Sequence, residues 1–417
     1  MPSSPKLDLR QIRLRDRYLS DYPNTIYGLG EWRRYDNGVW PTIPELLIRR
    51  EIQESVMTQR KVAVKVDNGL INSLYNLIKA HRFIRDDQFD RDKGLLVFDD
   101  CTLDFLTGER RGHLPENYRT VKLPFAYDPD ATSDCWLKFL LDVVGEQVAV
   151  FLQEFAGYSI TGLTKYEIAV WLYGPPGGGK STFISGLESM LGTQCGVLGL
   201  SDIETSNFGL TNLPGKTLVI STEQPAHFIK SAHVVNALIS GERVTIDRKF
   251  RDPVTFASQC KILWAMNELP RVDDKGAGIF RRVKLVHFPA IEEAKRDPRI
   301  KEEIQLSGMA ILNWARVGLQ RLLERGRFEI PDVVQAATEH YRINNDIPRM
   351  FVEERCEADS TERIQAQKLY ETYREWCSDT GHKPLASPRF SEEMQRLGFH
   401  KVKIGNVYYR GLKLSAS

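Results

Sequence analysis

A glycine-rich loop set between a buried strand and a helix constrains this chain more than any other feature. Ile168-Ala169-Val170-Trp171-Leu172-Tyr173 is a continuous apolar run of strand length, and Ser181 to Leu191 reads as a helix. Between them stands Gly174-Pro175-Pro176-Gly177-Gly178-Gly179-Lys180-Ser181, followed by Thr182. The run satisfies G-x-x-x-x-G-K-S/T in the strand–loop–helix setting that the pattern requires. The spacing has a chemical reason. Glycines let the backbone wrap a β-phosphate with its N–H groups turned inward, and a helix N-terminus adds positive partial charge. Lys180 has the reach to meet β- and γ-phosphates, and the Ser181 hydroxyl is suited to ligate Mg²⁺. The loop marks a nucleotide site.

Three more buried-strand candidates follow: Thr217–Ile220, Lys261–Met266 and Val283–Val286. Strands bounded by turns and alternating with helical segments predict an α/β core with a mostly parallel sheet. A helical stretch from Trp136 to Phe155 leads into this core, and helical patterns run from Ala290 to about Arg325. The chain's 417 residues exceed one ordinary core, since domains average roughly 100–200 residues. Residues 1–145 read as a separate α+β domain. Trp32 and Trp40 flank a turn signal at Tyr35 to Gly38, Glu45 to Arg60 and Gly69 to Ile84 read as helices, and Gly94–Phe98 and Thr102–Phe105 as short strands. The core is expected over 146–330. In 331–417 a helix around Leu369–Trp376 and a second from Ser387 precede an alternating stretch, Lys401–Ile404. A Gly405-Asn406 turn and Val407–Arg410 close a hairpin, the pattern of a winged-helix module.

Composition excludes several classes. Hydrophobic residues at 42% and charged residues at 27% rule out a largely disordered chain. The net charge is only +2, so any nucleic-acid contact must rest on local patches. No run approaches the ~18–20 apolar residues of a membrane span, and Met1 to Lys6 is polar and unlike a secretory signal. The six cysteines are scattered without a C-x-x-C pair, which argues against a zinc ribbon or disulfide framework and fits thiols in a reducing cytoplasm.

A phosphate loop alone does not say what the nucleotide drives. Leu218-Val219-Ile220-Ser221-Thr222-Glu223 supplies a carboxylate just past a strand's C-terminal end, where open α/β sheets place their chemistry. Thr222 stands where many ATPases carry Asp, so either metal binding and base catalysis converge on Glu223 or a water bridges to the metal. The competing reading of Glu223, a helix cap or a surface acid, is the lesser one. Asn267, after Lys261–Met266, is suited to orient an attacking water or touch a γ-phosphate, though alone it reads as a turn residue. Arg281-Arg282 is ordinarily a solvated strand start, but an arginine crossing a subunit interface stabilises phosphoryl transfer.

The order of phosphate loop, strand-Ser-Thr-Glu223, Ser240-Gly241-Glu242, Arg248-Lys249-Phe250, strand-Asn267 and Arg281-Arg282 resembles superfamily 3 helicases. It is most similar to the helicase half of phage and plasmid primase–helicases, which poxvirus primase–helicases share. Gly94 to Gly162 resembles the domain preceding that ATPase, and Met350 to Leu414 its winged-helix module, so the likeness runs from about Trp32 to Leu414. The resemblance implies an AAA+-like core in a hexameric ring that hydrolyses ATP with Mg²⁺ and moves 3′→5′ on single-stranded or forked DNA in the host cytoplasm. Lys180 and Ser181 would bind phosphate and Mg²⁺, Glu223 would be the Walker B acid and Asn267 the sensor. Arg282 would be the arginine finger with Arg281 as its substitute, and Arg248 and Lys249 would line the DNA channel. Asn236 stands where the family pattern has Lys. The primase half is absent, so priming would fall to a separate partner.

A rival reading is an ATP-switched origin-binding or loader protein without processive unwinding. A small-molecule kinase fits less well, because nothing here supplies an Arg-rich lid or explains the flanking domains. His227 and His233 are six apart with no nearby Cys and read as solvated rather than as metal ligands. Arg10, Arg13, Arg15 and Arg17 read as a solvated helix face.

Overall fold

In a computed structural model of the chain, the described residues are 9–58, 67–205, 210–211, 213–224, 232–248, 251–270, 278–380, 382 and 384–415. They form two compact units that divide after Val334, inside the helix Asp332–Asn344.

The first unit is built on a sheet of five parallel strands: β1 Ala169–Tyr173, β2 Cys195–Val197, β3 Leu218–Ser221, β4 Lys261–Met266 and β5 Val283–His287. Side by side they run β5-β1-β4-β3-β2, with Val170 level with Leu263 and Lys284, and Ile220 level with Leu263. The apolar runs form strands because helices and loops cover both faces, as parallel sheets require. Val170, Leu172, Leu263 and Ala265 pack with helices Asp134–Ile160, Lys180–Leu191 and Gly308–Arg325 in one core. Trp171 and Trp264 stack at 5.8 Å, and the Trp264 indole N–H donates to the Leu198 carbonyl at 2.8 Å. The edge strand β2 was not foreseen: Cys-Gly-Val offers no apolar run, and its Val197 is exposed.

Two helices cross so closely that glycine is obligatory. A Cβ on Gly157 would stand 2.2 Å from the Ala315 carbonyl oxygen, and one on Gly318 would stand 2.4 Å from that of Gln153. The helix expected from Trp136 to Phe155 is interrupted at Gly145, whose φ of 75° and ψ of 170° are not helical. The helical pattern expected from Ala290 begins only at Ile300, because 290–299 form an irregular segment with one short turn at Glu293–Lys295.

The same unit contains the α+β lobe. Helices Leu9–Asp21, Glu45–Met57 and Asn68–His81 pack with Trp32 of the antiparallel sheet Thr25–Gly28, Glu31–Arg34, Thr42–Ile43. The turn signal is there, with Asp36 bridged to Val39 across Asn37 and Gly38. A tighter turn at Leu29-Gly30 was not legible, since Leu29 holds a φ of 54° that its type disfavours. Leu95–Val97 pairs with Thr102–Asp104, and a third strand is Arg110–Arg111.

The second unit gathers Phe351, Tyr373, Trp376 and Phe390 between helices Ile347–Arg355, Ala366–Asp379 and Ser387–Arg396. Lys401–Ile404 and Asn406–Leu414 form the expected hairpin around Gly405. A further strand, Cys356–Gln365, pairs with Asn406–Leu414 and was not foreseen, because its sequence is mostly polar.

Lys261, at the start of β4, is fully buried, and burial pushes its ammonium from 10.5 to about 7. It donates to the carbonyls of Thr161 and Gln259 and lies 4.6 Å from the Tyr158 ring centre. Between pH 7 and 10.5 the unfolded chain holds a proton here that the folded chain has lost, so stability rises with pH across that window. The slope approaches about 1.4 kcal/mol per pH unit at its steepest. Lys261→Met is expected to flatten that rise in urea unfolding measured at pH 7 and 9. Identical slopes in the two proteins would show that Lys261 is not the responsible group.

Candidate functional site

The phosphate loop leaves β1 at the C-terminal edge of the sheet and turns into the helix Lys180–Leu191. Gly174 permits this exit. Its φ is +135°, and a Cβ would stand 2.2 Å from the Phe288 carbonyl oxygen. Opposite the loop opens a cleft of about 840 Å³, lined by Pro176 to Thr182, Thr222, Glu223 and Asn267. Its far wall is Phe139, Asp142 and Val143 from the helix Asp134–Ile160, and Ile291, Arg296 to Pro298 and Ile300 from the segment after β5.

Lys180 is buried, and its ammonium donates to the carbonyls of Gly174 at 2.6 Å and Pro175 at 2.9 Å, and to Asn267 Oδ1 at 3.1 Å. Burial lowers its pKa from the ordinary lysine value. Ser181, Thr222 and Glu223 are exposed to the cleft. Strand order explains the convergence. β4 lies between β1 and β3, so Asn267 stands between the loop and Glu223, and adjacent strands are about 4.8 Å apart. Lys180, Asn267 and Glu223 thus line one cleft. The donor set suits a magnesium nucleotide: an ammonium and a helix N-terminus for phosphate, a hydroxyl and a carboxylate as hard oxygen ligands.

Arg281 and Arg282 do not join this cleft. They close the helix Gly278–Arg282 just before β5, and register puts Val283 level with Ala169, at the opposite end of the sheet from the loop. Arg282 is held by Glu167 at 2.6 Å and donates to the Gly278 carbonyl at 3.3 Å, whereas Arg281 is exposed. Asn236 lies beneath this helix, since a Cβ on Gly278 would be 2.9 Å from its Nδ2. Strands Arg243–Arg248 and Arg251–Ala257 form an antiparallel hairpin with Arg248 opposite Arg251. Lys249 lies outside the described residues, as does His227. His233 is exposed, and no cluster among the described residues could hold a metal through three His, Cys, Asp or Glu groups. Sequence reasoning missed Phe139, Asp142, Arg296 and Asp297, for which no local motif signals a site.

A smaller cavity of about 280 Å³ lies between the α+β lobe and the base of the hairpin, with Asp86, Asp90, Lys93 and Arg243 among its walls. Its acids are already committed: Asp86 accepts the Leu29 N–H at 2.7 Å, and Asp90 accepts the Thr120 N–H at 3.0 Å.

Three family descriptions match parts of the chain: D5 N terminal like over residues 11–145, a family of unknown function over 172–282, and poxvirus D5 protein-like over 342–414. The segments on either side of residues 172–282 are thus both D5-like. The fold is shared with the A form apo structure of the NrS-1 C terminal region, at 12% identity and a TM-score of 0.55, covering 96% of this chain and 99% of that one. Another apo structure of the same region (305–718) matches at 12% identity and a TM-score of 0.57, covering 97% and 100%. No helix among the described residues is long and apolar enough to cross a membrane.

Proposed function

We propose that this protein is an ATP-dependent replicative DNA helicase of a phage or mobile genetic element. In this reading it is a superfamily 3 motor with an AAA+-like core and a C-terminal winged helix. It works as a hexameric ring that moves 3′→5′ on single-stranded DNA and unwinds the duplex ahead. The observation that supports this most is the contact of Lys180 with Asn267 at 3.1 Å in a cleft that Glu223 also lines. A structural glycine turn has no need of a cation, an amide and a carboxylate at the ends of three adjacent strands. Lys180 and Ser181 hold the phosphates and Mg²⁺, Glu223 prepares the water, and Asn267 senses the γ-phosphate. The place of Arg281 and Arg282 at the far end of the sheet favours their acting on a neighbour's cleft, which a ring requires. The D5-like flanks and the fold shared with the NrS-1 region support a place in replication, beside a separate primase in the host cytoplasm.

The purified protein is expected to unwind a 3′-tailed duplex with ATP and Mg²⁺, and to leave a 5′-tailed one paired. ATP-dependent DNA binding with neither substrate unwound would replace the motor by a loader.

A further inference from the structure

Beyond Lys180, a second cation, Arg296, lines the cleft. After β5 the chain crosses the end of the phosphate loop, where the Phe288 N–H donates to the Tyr173 carbonyl at 2.8 Å. It then makes the short turn Glu293–Lys295 and arrives at Arg296, whose backbone N–H donates to the Glu293 carbonyl at 3.2 Å. The Arg296 side chain is clamped by its inner nitrogen, with Nε donating to the Ile291 carbonyl at 3.1 Å. The outer nitrogens lie against Gly177: a Cβ there would stand 2.6 Å from Nη2 and 3.3 Å from Nη1. Arg296 pairs with no carboxylate among the described residues. Two acids line the cleft beside it: Asp297 is turned to Arg299, accepting its N–H at 2.9 Å, and Asp142 comes from the helix Asp134–Ile160.

We propose that Arg296 is a ligand of the nucleotide's diphosphate, reaching it from the segment after β5 in the same chain. The inference rests on the nucleotide reading of the cleft. The loop's backbone wraps the β-phosphate, and a guanidinium flanking Gly177 presents two parallel N–H donors to its oxygens, a fork that a lysine does not offer. Gly177 is also the residue that lets this guanidinium approach, since any side chain there would displace it. Because the diphosphate is present in substrate and product alike, the contact acts as uniform binding: it lowers KM without raising kcat.

Equilibrium titration with fluorescent N-methylanthraniloyl ADP and ATP tests this, alongside steady-state ATPase. Arg296→Ala is expected to weaken both nucleotides about tenfold or more, with kcat within about twofold of the parent. Arg296→Lys should recover only part of the affinity. The side chain is exposed, so thermal melting of both variants should match the parent. Unchanged affinity in Arg296→Ala, with the parent binding normally, overturns this proposal alone. A loss of kcat at unchanged affinity also overturns it, because the cation would then act on the transition state. Failure of the parent to bind either nucleotide overturns the reading of the whole cleft.

Discussion

Lys180→Ala is expected to lower ATP hydrolysis by roughly 10³-fold, the scale of removing a preorganised cation from a phosphoryl-transfer site. The three oxygens that its ammonium now serves belong to Gly174, Pro175 and Asn267, so the same change also leaves the loop and the Asn267 side chain without their common donor. Nucleotide affinity should therefore fall together with turnover. Glu223→Gln is expected to differ. The amide keeps the shape of an exposed side chain and loses the charge and basicity, so ATP binding persists while hydrolysis stops. Burial also lowers the Lys180 pKa, and under the proposed function its charged form is the working one. The alkaline fall of kcat/KM, which reports the free protein, should thus come at lower pH than for a solvated lysine. Near-parental turnover in Glu223→Gln would remove that carboxylate from the mechanism.

The legible parts of this fold are those where one local rule acts alone. The strands β1, β3, β4 and β5 read from apolar runs because a parallel sheet covered on both faces demands such runs, and the phosphate loop reads from its glycines. β2 escapes because three residues at a sheet edge need no apolar run. Cys356–Gln365 escapes for a related reason: it is recruited by pairing with Asn406–Leu414, and a strand formed by hydrogen bonding rather than burial leaves little trace in composition. The break at Gly145 and the crossing at Gly157 and Gly318 depend on partners far along the chain.

The site divides the same way. Lys180 at the start of its helix, and Glu223 and Asn267 just past strand ends, are legible from sequence and stand around one cleft. Phe139 and Arg296 come from elements that approach only when the chain is folded, and nothing near them in sequence announces a nucleotide. The arginine pair shows a further limit. The sequence places it before a strand, but only the sheet's register shows that this end faces away from the loop.

Under the proposed function, Lys249→Ala is expected to reduce unwinding by roughly 100-fold or more while basal ATPase stays within about twofold. This separation follows if the cation grips DNA and takes no part in chemistry. The hairpin Arg243–Arg248 and Arg251–Ala257 is inserted between Glu223 and Asn267, so both of its ends lead back to groups that line the cleft. Thr245 and Thr255 bridge it at 2.9 Å, and Ile246 is buried, which stiffens the arm against bending. In that reading a stiff arm whose chain runs between Glu223 and Asn267 would move when the γ-phosphate leaves. Arg248 and Lys249 would, in the same reading, meet the backbone of single-stranded DNA by charge, without reading bases, as a motor on any sequence requires. Stimulation of the ATPase by single-stranded DNA should disappear in Lys249→Ala, and its salt dependence with it. Unwinding at the parental rate would show that this arm is not the grip, and would leave the cleft without a coupling element to DNA.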